Sequence, residues 1–489
     1  MLDRRTKALA SGPLEEMKMA DNTDLWLPSA LGRRRFLGVA GGAAVAALLA
    51  ACGSDNGRSS GDTTTSSSTA APPTSSADTG SGSGGSSSVA SGSGSAPSSA
   101  TGTGGPKPEL AQWYHAYGED GTKAAVERYA AGYPDATVKV SWFPGDYDSK
   151  IATALGTGEA PDVFEAGNGP SIDAIQAGQV ADLSDLLDAT AKSDFSASLL
   201  ERMSFDGKLY AIPQVIDMQL LVYRKSALDK ASVKPPTTID ELLVAAKALT
   251  TGKQKGLFVG NDGGVGTLIG PTLWSIGEDY LTADNKVGFT PEKAGPALAK
   301  LHALFTSGNL LLGAPADWSA PDSFTNGLTA MQWTGLWTLP DIIKAVGDDF
   351  GVLPWPSDAG GKPSAPIGAY GSAVSAKSKN VDAAKAFVKW LWVDNADDQL
   401  DFAQSYGFHV PARASVAAKA DKLKSGPALD AAKIVQDNGH AQTPLLWSPA
   451  SSTAMTDAAT NIIKSGADPV AELSKVVTKV QSELARILK

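Results

Sequence analysis

One cysteine, Cys52, stands in a chain of 489 residues. A lone thiol closes no intramolecular disulfide and cannot by itself supply a zinc or iron–sulfur site, so stability must come from ordinary apolar packing. Histidine is nearly as scarce, with four residues at 115, 302, 409 and 440 and neither a His-x-x-x-His nor a Cys–His spacing. The usual metal-ligand patterns are therefore missing, and no metal or cofactor is expected. No basic run follows residue 51 and the formal charge is −10, which argues against a nucleic-acid partner because phosphate binding needs clustered cations. Long apolar runs are also absent: the uncharged stretch Phe36–Ala51 has 16 residues, short of the roughly 20 that cross a bilayer.

That stretch follows Arg33-Arg34-Arg35-Phe36-Leu37, which resembles a twin-arginine export signature, and its length suits a signal-peptide core. It ends in Leu49-Ala50-Ala51-Cys52, which resembles the lipobox of bacterial lipoproteins, where the thiol receives a lipid. Residues 1–51 are thus expected to be a cleaved leader and Cys52 the membrane anchor on the extracytoplasmic face. Loss of the leader's seven Lys/Arg and five Asp/Glu would take the formal charge from −10 to −12. From Gly53 to about Pro106 the chain is almost entirely Ser, Gly, Thr, Ala and Pro with no aromatic residue. Such a segment cannot bury enough apolar surface to offset ordering entropy and is expected to be a tether spanning on average about 40 Å.

The remainder, with 42% apolar residues in the whole chain, can build a large core. Glu109–Ala116 reads as a strand, 121–131 as a helix and Thr137–Trp142 as a strand with period-two alternation. Ser149–Leu155 reads as a helix stopping at Gly156, and Asp162–Phe164 as a short buried strand. This alternation predicts an α/β fold around a largely parallel, doubly wound sheet, with ligands in a crevice at the carboxyl ends of strands. Thr238 and Asn380 are each placed to cap a helix, and Gly368-Ala369-Tyr370-Gly371 sits where a strand would pass between halves of the molecule. Gly264-Val265-Gly266-Thr267-Leu268-Ile269-Gly270 has its third glycine one place late for a dinucleotide fingerprint, and reads as a turn.

Six short motifs in one order resemble the carbohydrate-type extracellular solute-binding proteins of ABC importers, the branch that includes maltose-binding protein. They are Gly156–Val163 (GTGEAPDV), Asp206–Pro213 (DGKLYAIP), Leu221–Lys225 with Pro235–Leu242 (LVYRK, PPTTIDEL), Phe324–Trp337 (FTNGLTAMQWTGLW), Ser378–Phe387, and Gly407–Arg413 (GFHVPAR). Arg224 and Ile239 stand where the family usually has Asn and Trp. The resemblance covers nearly all of residues 110–485. It implies a two-lobed type II binding-protein fold, with lobe one at about 109–215 and 371–440 and lobe two at about 218–368 and 450–489. It also implies a small-molecule solute, ABC permease subunits as partners, and a monomer.

A sugar offers C–H faces and a rim of hydroxyls, so its site calls for aromatic planes beside amides and carboxylates. Trp337, after Gly335, matches the Gly-x-Trp motif and is the first stacking candidate; Trp274 and Trp447 follow. Trp390 and Trp392 read as packing residues. His115 and Tyr117 close the first strand, where one parity faces the core, and Tyr370 lies in the glycine-flanked crossing. Asp217, between Ile216 and Met218, is costly to bury unless paired, and is either a ligand contact or half of an ion pair. Asn168 and Gln214 are candidate hydroxyl partners, while Asp146 and Tyr147 either cap a helix or face the cleft. The expected function is a lipid-anchored sugar receptor and not an enzyme. The alternatives are a receptor for a polyamine, polyol or phosphorylated solute, and a secreted glycoside hydrolase.

Overall fold

The computed structural model describes residues 106–489. The leader, Cys52 and the linker lie outside the described residues, with the export and lipidation expectations attached to them.

Strand β1 (Glu109–His115) alternates buried Leu110, Gln112 and Tyr114 with the more open Trp113 and His115, as period-two geometry requires. It pairs in parallel with β2 (Thr137–Phe143) and β3 (Val163–Gly167). The Pro161-Asp162-Val163 turn has a job in this sheet: the Asp162 carboxylate accepts the Ala111 N–H at 2.8 Å and the Ser378 hydroxyl, tying β1 to a distant loop. The helix expected to stop at Gly156 runs Tyr147–Thr157 and ends instead at Gly158, which takes a positive φ of 82°. β4 (Ser204–Phe205) and β5 (Lys208–Leu209) form a hairpin whose turn, Asp206-Gly207, has both φ values positive, the geometry of a tight two-residue turn.

Two long strands organise the rest. β6 (Ile212–Tyr223) is followed by β7 (Lys255–Phe258), β8 (Thr329–Gly335) and β9 (Gly351–Leu353), and the second long strand is β10 (Ala365–Val374). The order is β2-β1-β3-β10-β6-β8-β7, with short β11 (Val410–Pro411) and β12 (Gly439–Ala441) beside β6 and β10. The Ile212–Met218 part of β6 pairs with β10 and the Gln219–Tyr223 part with β8. Both pairings are antiparallel, as is that of β10 with β3. The sheet is therefore mixed, where strand–helix alternation predicted mostly parallel pairing. β6 carries the chain across the molecule and β10 brings it back, and a return path needs no crossover helix.

Buried apolar residues form two clusters. One contains Tyr114, Phe164, Phe387 and Phe402; the other contains Leu301, Trp333, Trp355 and Ile462, with the C-terminal helices Pro449–Ser465 and Pro469–Ile487. β6 serves both, because Leu220 and Val222 enter the first while Leu221 enters the second. Phe324, Leu336, Leu339, Ile342 and Phe350 join the first cluster, so apolar packing does not divide at the lobe boundary drawn from sequence. Thr238 forms a full capping box with Glu241. Asn380 makes no cap; its amide donates to the Glu109 carbonyl at 3.2 Å. No described helix is long and apolar enough to cross a membrane.

Trp333 is fully buried, edge-on to Trp355 at 5.4 Å. Trp333→Ala is expected to lower unfolding free energy by about 3–5 kcal/mol. Val244→Ala, at a helix position 65% exposed, should stay within about 0.5 kcal/mol of wild type. Guanidinium titrations followed by circular dichroism check both.

Candidate functional site

Beside the paired strands β6 and β10 the structure holds a cleft of about 220 Å³. Trp274, Tyr280 and Trp447 supply aromatic walls, and Gln219, Gln442 and Thr267 supply neutral hydrogen-bonding groups. Tyr280 and Trp447 lie 4.8 Å apart, ring centre to ring centre. Trp274 is held rigidly: its indole N–H donates to Asp279 Oδ1 at 2.9 Å and the His440 imidazole stacks on it at 4.1 Å. Asp279 also faces His440 Nε2 at 3.2 Å. Burial alone would raise the Asp279 pKa, but the His440 contact and the Trp274 N–H bring it below the usual value. The expected turn at residues 264–270 forms part of this lining.

Asn168 approaches the cleft from β3 in a left-handed conformation, φ 58°, which Asn tolerates. Its amide donates to Gln442 Oε1 at 2.8 Å and its Oδ1 accepts the Ala369 N–H at 3.3 Å. A side chain at Gly368 would come within 2.6 Å of Asn168, which explains a glycine there. Gly335 plays the same part for Trp337: an added Cβ would sit 1.9 Å from the indole ring. Trp337 is half-buried, edge-on to Trp318 at 5.8 Å, and donates to the Ser319 carbonyl at 2.8 Å.

Five of the remaining candidates, His115, Tyr117, Gln214, Tyr370 and Asp217, fall into two polar clusters. Glu165, 1% exposed, accepts His115 Nδ1–H at 2.7 Å, the His115 backbone N–H at 3.1 Å and the Tyr117 hydroxyl at 2.7 Å. The Gln214 amide, oriented to satisfy its neighbours, donates to Glu165 at 3.0 Å and accepts the Trp392 indole N–H at 3.2 Å. His115 stacks on Tyr370 at 4.3 Å. Burial, followed by the Glu165 charge, raises the Tyr117 and Tyr370 hydroxyls well above their ordinary value, so both remain neutral. In the second cluster Asp217 Oδ1 lies 2.5 Å from His409 Nδ1, and Glu119 Oε1 lies 2.9 Å from His409 Nε2. Burial would lower the His409 pKa, but Asp217 and Glu119 outweigh it and push it up to about 10.

Two candidates go elsewhere. Asp146 is an exposed helix cap, accepting the Ser149 N–H at 3.1 Å. Tyr147 is buried and bonds the Trp113 and Glu165 carbonyls. Sequence reading missed Glu119, Glu165, His409, His440, Gln442 and Tyr280. Glu165 carried a usable signal, a carboxylate inside the apolar strand Val163–Gly167, by the same reasoning that marked Asp217. No group of three or more potential metal ligands occurs among the described residues.

Two apolar clusters thus share the strand β6, and an aromatic-walled cleft lies beside β6 and β10. Residues 124–431 match the family described as bacterial extracellular solute-binding proteins, and the chain belongs to that family. It is 30% identical over 322 residues to the diacetylchitobiose-binding protein of Streptomyces coelicolor, covering 61% of this chain and 70% of that one. A lactose-binding protein of Rhizobium radiobacter is 26% identical over 241 residues, 47% of this chain and 56% of its own length. In fold the chain is similar to the GacH receptor of Streptomyces glaucescens, solved unliganded and with acarbose, at a TM-score of 0.66, 24% identity, 78% of this chain and 99% of that one.

With both ring nitrogens facing carboxylates, His409 should stabilise the fold only while charged. Its contribution is complete below about pH 6.5, the unfolded value. It fades as the pH rises through the folded value of about 10. Denaturant titrations of wild type and His409→Gln at several pH values should show the gap between them narrowing with pH; a constant gap would refute the ion-pair reading.

Proposed function

We propose that this protein is the extracytoplasmic receptor of an ABC importer, capturing a sugar or oligosaccharide between two lobes and delivering it to the permease. The observation that carries the reading is the cleft itself: aromatic walls from Trp274, Tyr280 and Trp447 beside amides and a hydroxyl from Gln219, Gln442 and Thr267. Aromatic planes suit the C–H faces of a sugar and neutral polar groups suit its hydroxyls. The sugar ligands named for the two relatives agree with it. Trp337 and Asp217 extend the site, and the strands β6 and β10 serve as the hinge. Ligand bridging the lobes shifts the population toward the closed form through its greater affinity for that form. A dissociation constant near 1 μM, about −8 kcal/mol, is sufficient. The chain acts as a monomer without catalysis, and the Cys52 lipid with the linker keeps it at the outer membrane face.

Calorimetry over mono- and oligosaccharides, polyols, polyamines and sugar phosphates tests the ligand class, and binding of polyamines or phosphates alone would overturn it. Trp447→Ala should weaken the bound saccharide by at least about 30-fold, near 2 kcal/mol, with the fold retained. Cys52→Ser should move the protein from the membrane fraction to the soluble one, and retention in the membrane would contradict the anchor.

A further inference from the structure

Trp274 and Tyr280 line the cleft, and one carboxylate holds both. Asp279 Oδ1 accepts the Trp274 indole N–H at 2.9 Å and the Tyr280 backbone N–H at 2.7 Å. The two rings meet edge to face at 6.3 Å and close over Gly270, where a Cβ would come within 2.8 Å of the indole and 3.2 Å of the phenol. Tyr280 in turn lies against Trp447. The aromatic wall is therefore one packed unit whose orientation follows Asp279.

His440 stands behind that wall and is not part of the lining. It sits on β12, stacks on Trp274 at 4.1 Å, and faces the other Asp279 oxygen, Oδ2, with Nε2 at 3.2 Å. Its Nδ1 lies 2.8 Å from the Ala441 carbonyl. Both partners only accept hydrogen bonds, and a neutral imidazole has a single N–H. The neutral ring satisfies one contact and turns a lone pair toward the other. An imidazolium donates to both and also sets a cation over the indole face. The His440 and Asp279 side chains are 36% and 35% exposed, so protons from solvent reach the pair.

Glu278, next to Asp279, is engaged elsewhere: it accepts the Thr290 N–H at 2.8 Å and faces Lys293 at 3.7 Å. β12 lies on the uncharged Ala365–Ile367 stretch of β10 and against the helix Gly426–Asn438, whose Asp430 and Lys433 face each other at 3.7 Å. Asp437 of that helix makes no ion pair with the ring, and Asp279 is the one carboxylate paired with it among the described residues.

We propose that His440 couples ligand capture to pH: as an imidazolium it clamps the Asp279–Trp274–Tyr280 wall, and loss of its proton releases the ring and loosens the wall. A ligand packed on the wall then binds best in acid, and more weakly as the pH rises through the range where histidine ordinarily changes charge, about pH 5 to 8. Coupling between two equilibria is reciprocal, so binding at intermediate pH takes up protons. His440 acts through Trp274 and is a positioning residue. The proposal rests on the cleft being the ligand site, but not on the ligand being a sugar.

The test pairs calorimetry with a ligand-free measurement. Lactose, maltose, cellobiose and N,N′-diacetylchitobiose are screened in acid, and any that binds is titrated from about pH 5.5 to about pH 8 at constant ionic strength. Wild type should lose at least about fivefold in affinity across that range. Titrations in buffers of different ionisation enthalpy should show proton uptake on binding. His440→Phe keeps a ring for stacking without a titrating proton, and should lose both the pH dependence and the uptake. In the unliganded protein the Trp274 indole N–H resonance, assigned by its absence in Trp274→Phe, should shift with the same midpoint as the His440 ring. Affinity flat with pH in wild type, pH dependence unchanged in His440→Phe, or an indole resonance that stays put while the ring titrates each overturns the clamp and leaves the sugar reading intact. If none of the sugars binds, the sugar reading falls, and the joint titration of ring and indole decides the clamp by itself.

Discussion

The antiparallel ladder between β6 and β10 is the constraint on which the rest depends. It runs from Ile212↔Ser372 to Met218↔Ile367, with one register shift between Tyr370 and Gly371. Each strand extends past that shared ladder, β6 onto β8 and β10 onto β3. Two cores are thereby joined by two hydrogen-bonded ribbons and not by a loose linker. Asp217 pairs with Gly368 and Tyr370 with Val215 within the ladder, and Gln219 pairs with Gly335 of β8, so main-chain pairing sets their places. Side chains on such elements are held more precisely than those on loops.

The charged groups around this ladder are paired so completely that few remain to define the ligand. Glu165 is saturated by His115, Tyr117 and Gln214, so these three residues serve a buried carboxylate first, whatever else they touch. Asp279 orients Trp274 while His440 covers one of its faces. Within this polar frame the cleft lining itself carries no ionised side chain. A neutral, amphipathic ligand fits such a lining better than an anion or a bare cation.

Much of the architecture was legible in the sequence because local signals agreed with tertiary ones. Thr238, expected to cap a helix, does so, and β1 shows the alternation expected of it. Sheet direction was not legible, because the apolar character of β6 and β10 is the same whichever way their neighbours run. Aromatic cleft residues were partly legible: Trp274 and Trp447 line the cleft, whereas Tyr280 has no local feature that separates it from a packing tyrosine. The His409 unit was hidden for a different reason. Its members sit at 119, 217 and 409, and only the fold brings them within hydrogen-bonding distance. Asp146 shows the opposite case, where a local capping role accounts for the residue without any ligand.

The central claim is that one ligand is enclosed between two halves that move about the β6 and β10 ladder. Small-angle X-ray scattering of the protein with and without a saturating saccharide, at a concentration where calorimetry shows the site filled, tests it most directly. A fall in the radius of gyration on saturation is expected. An unchanged radius with the site filled would contradict the account.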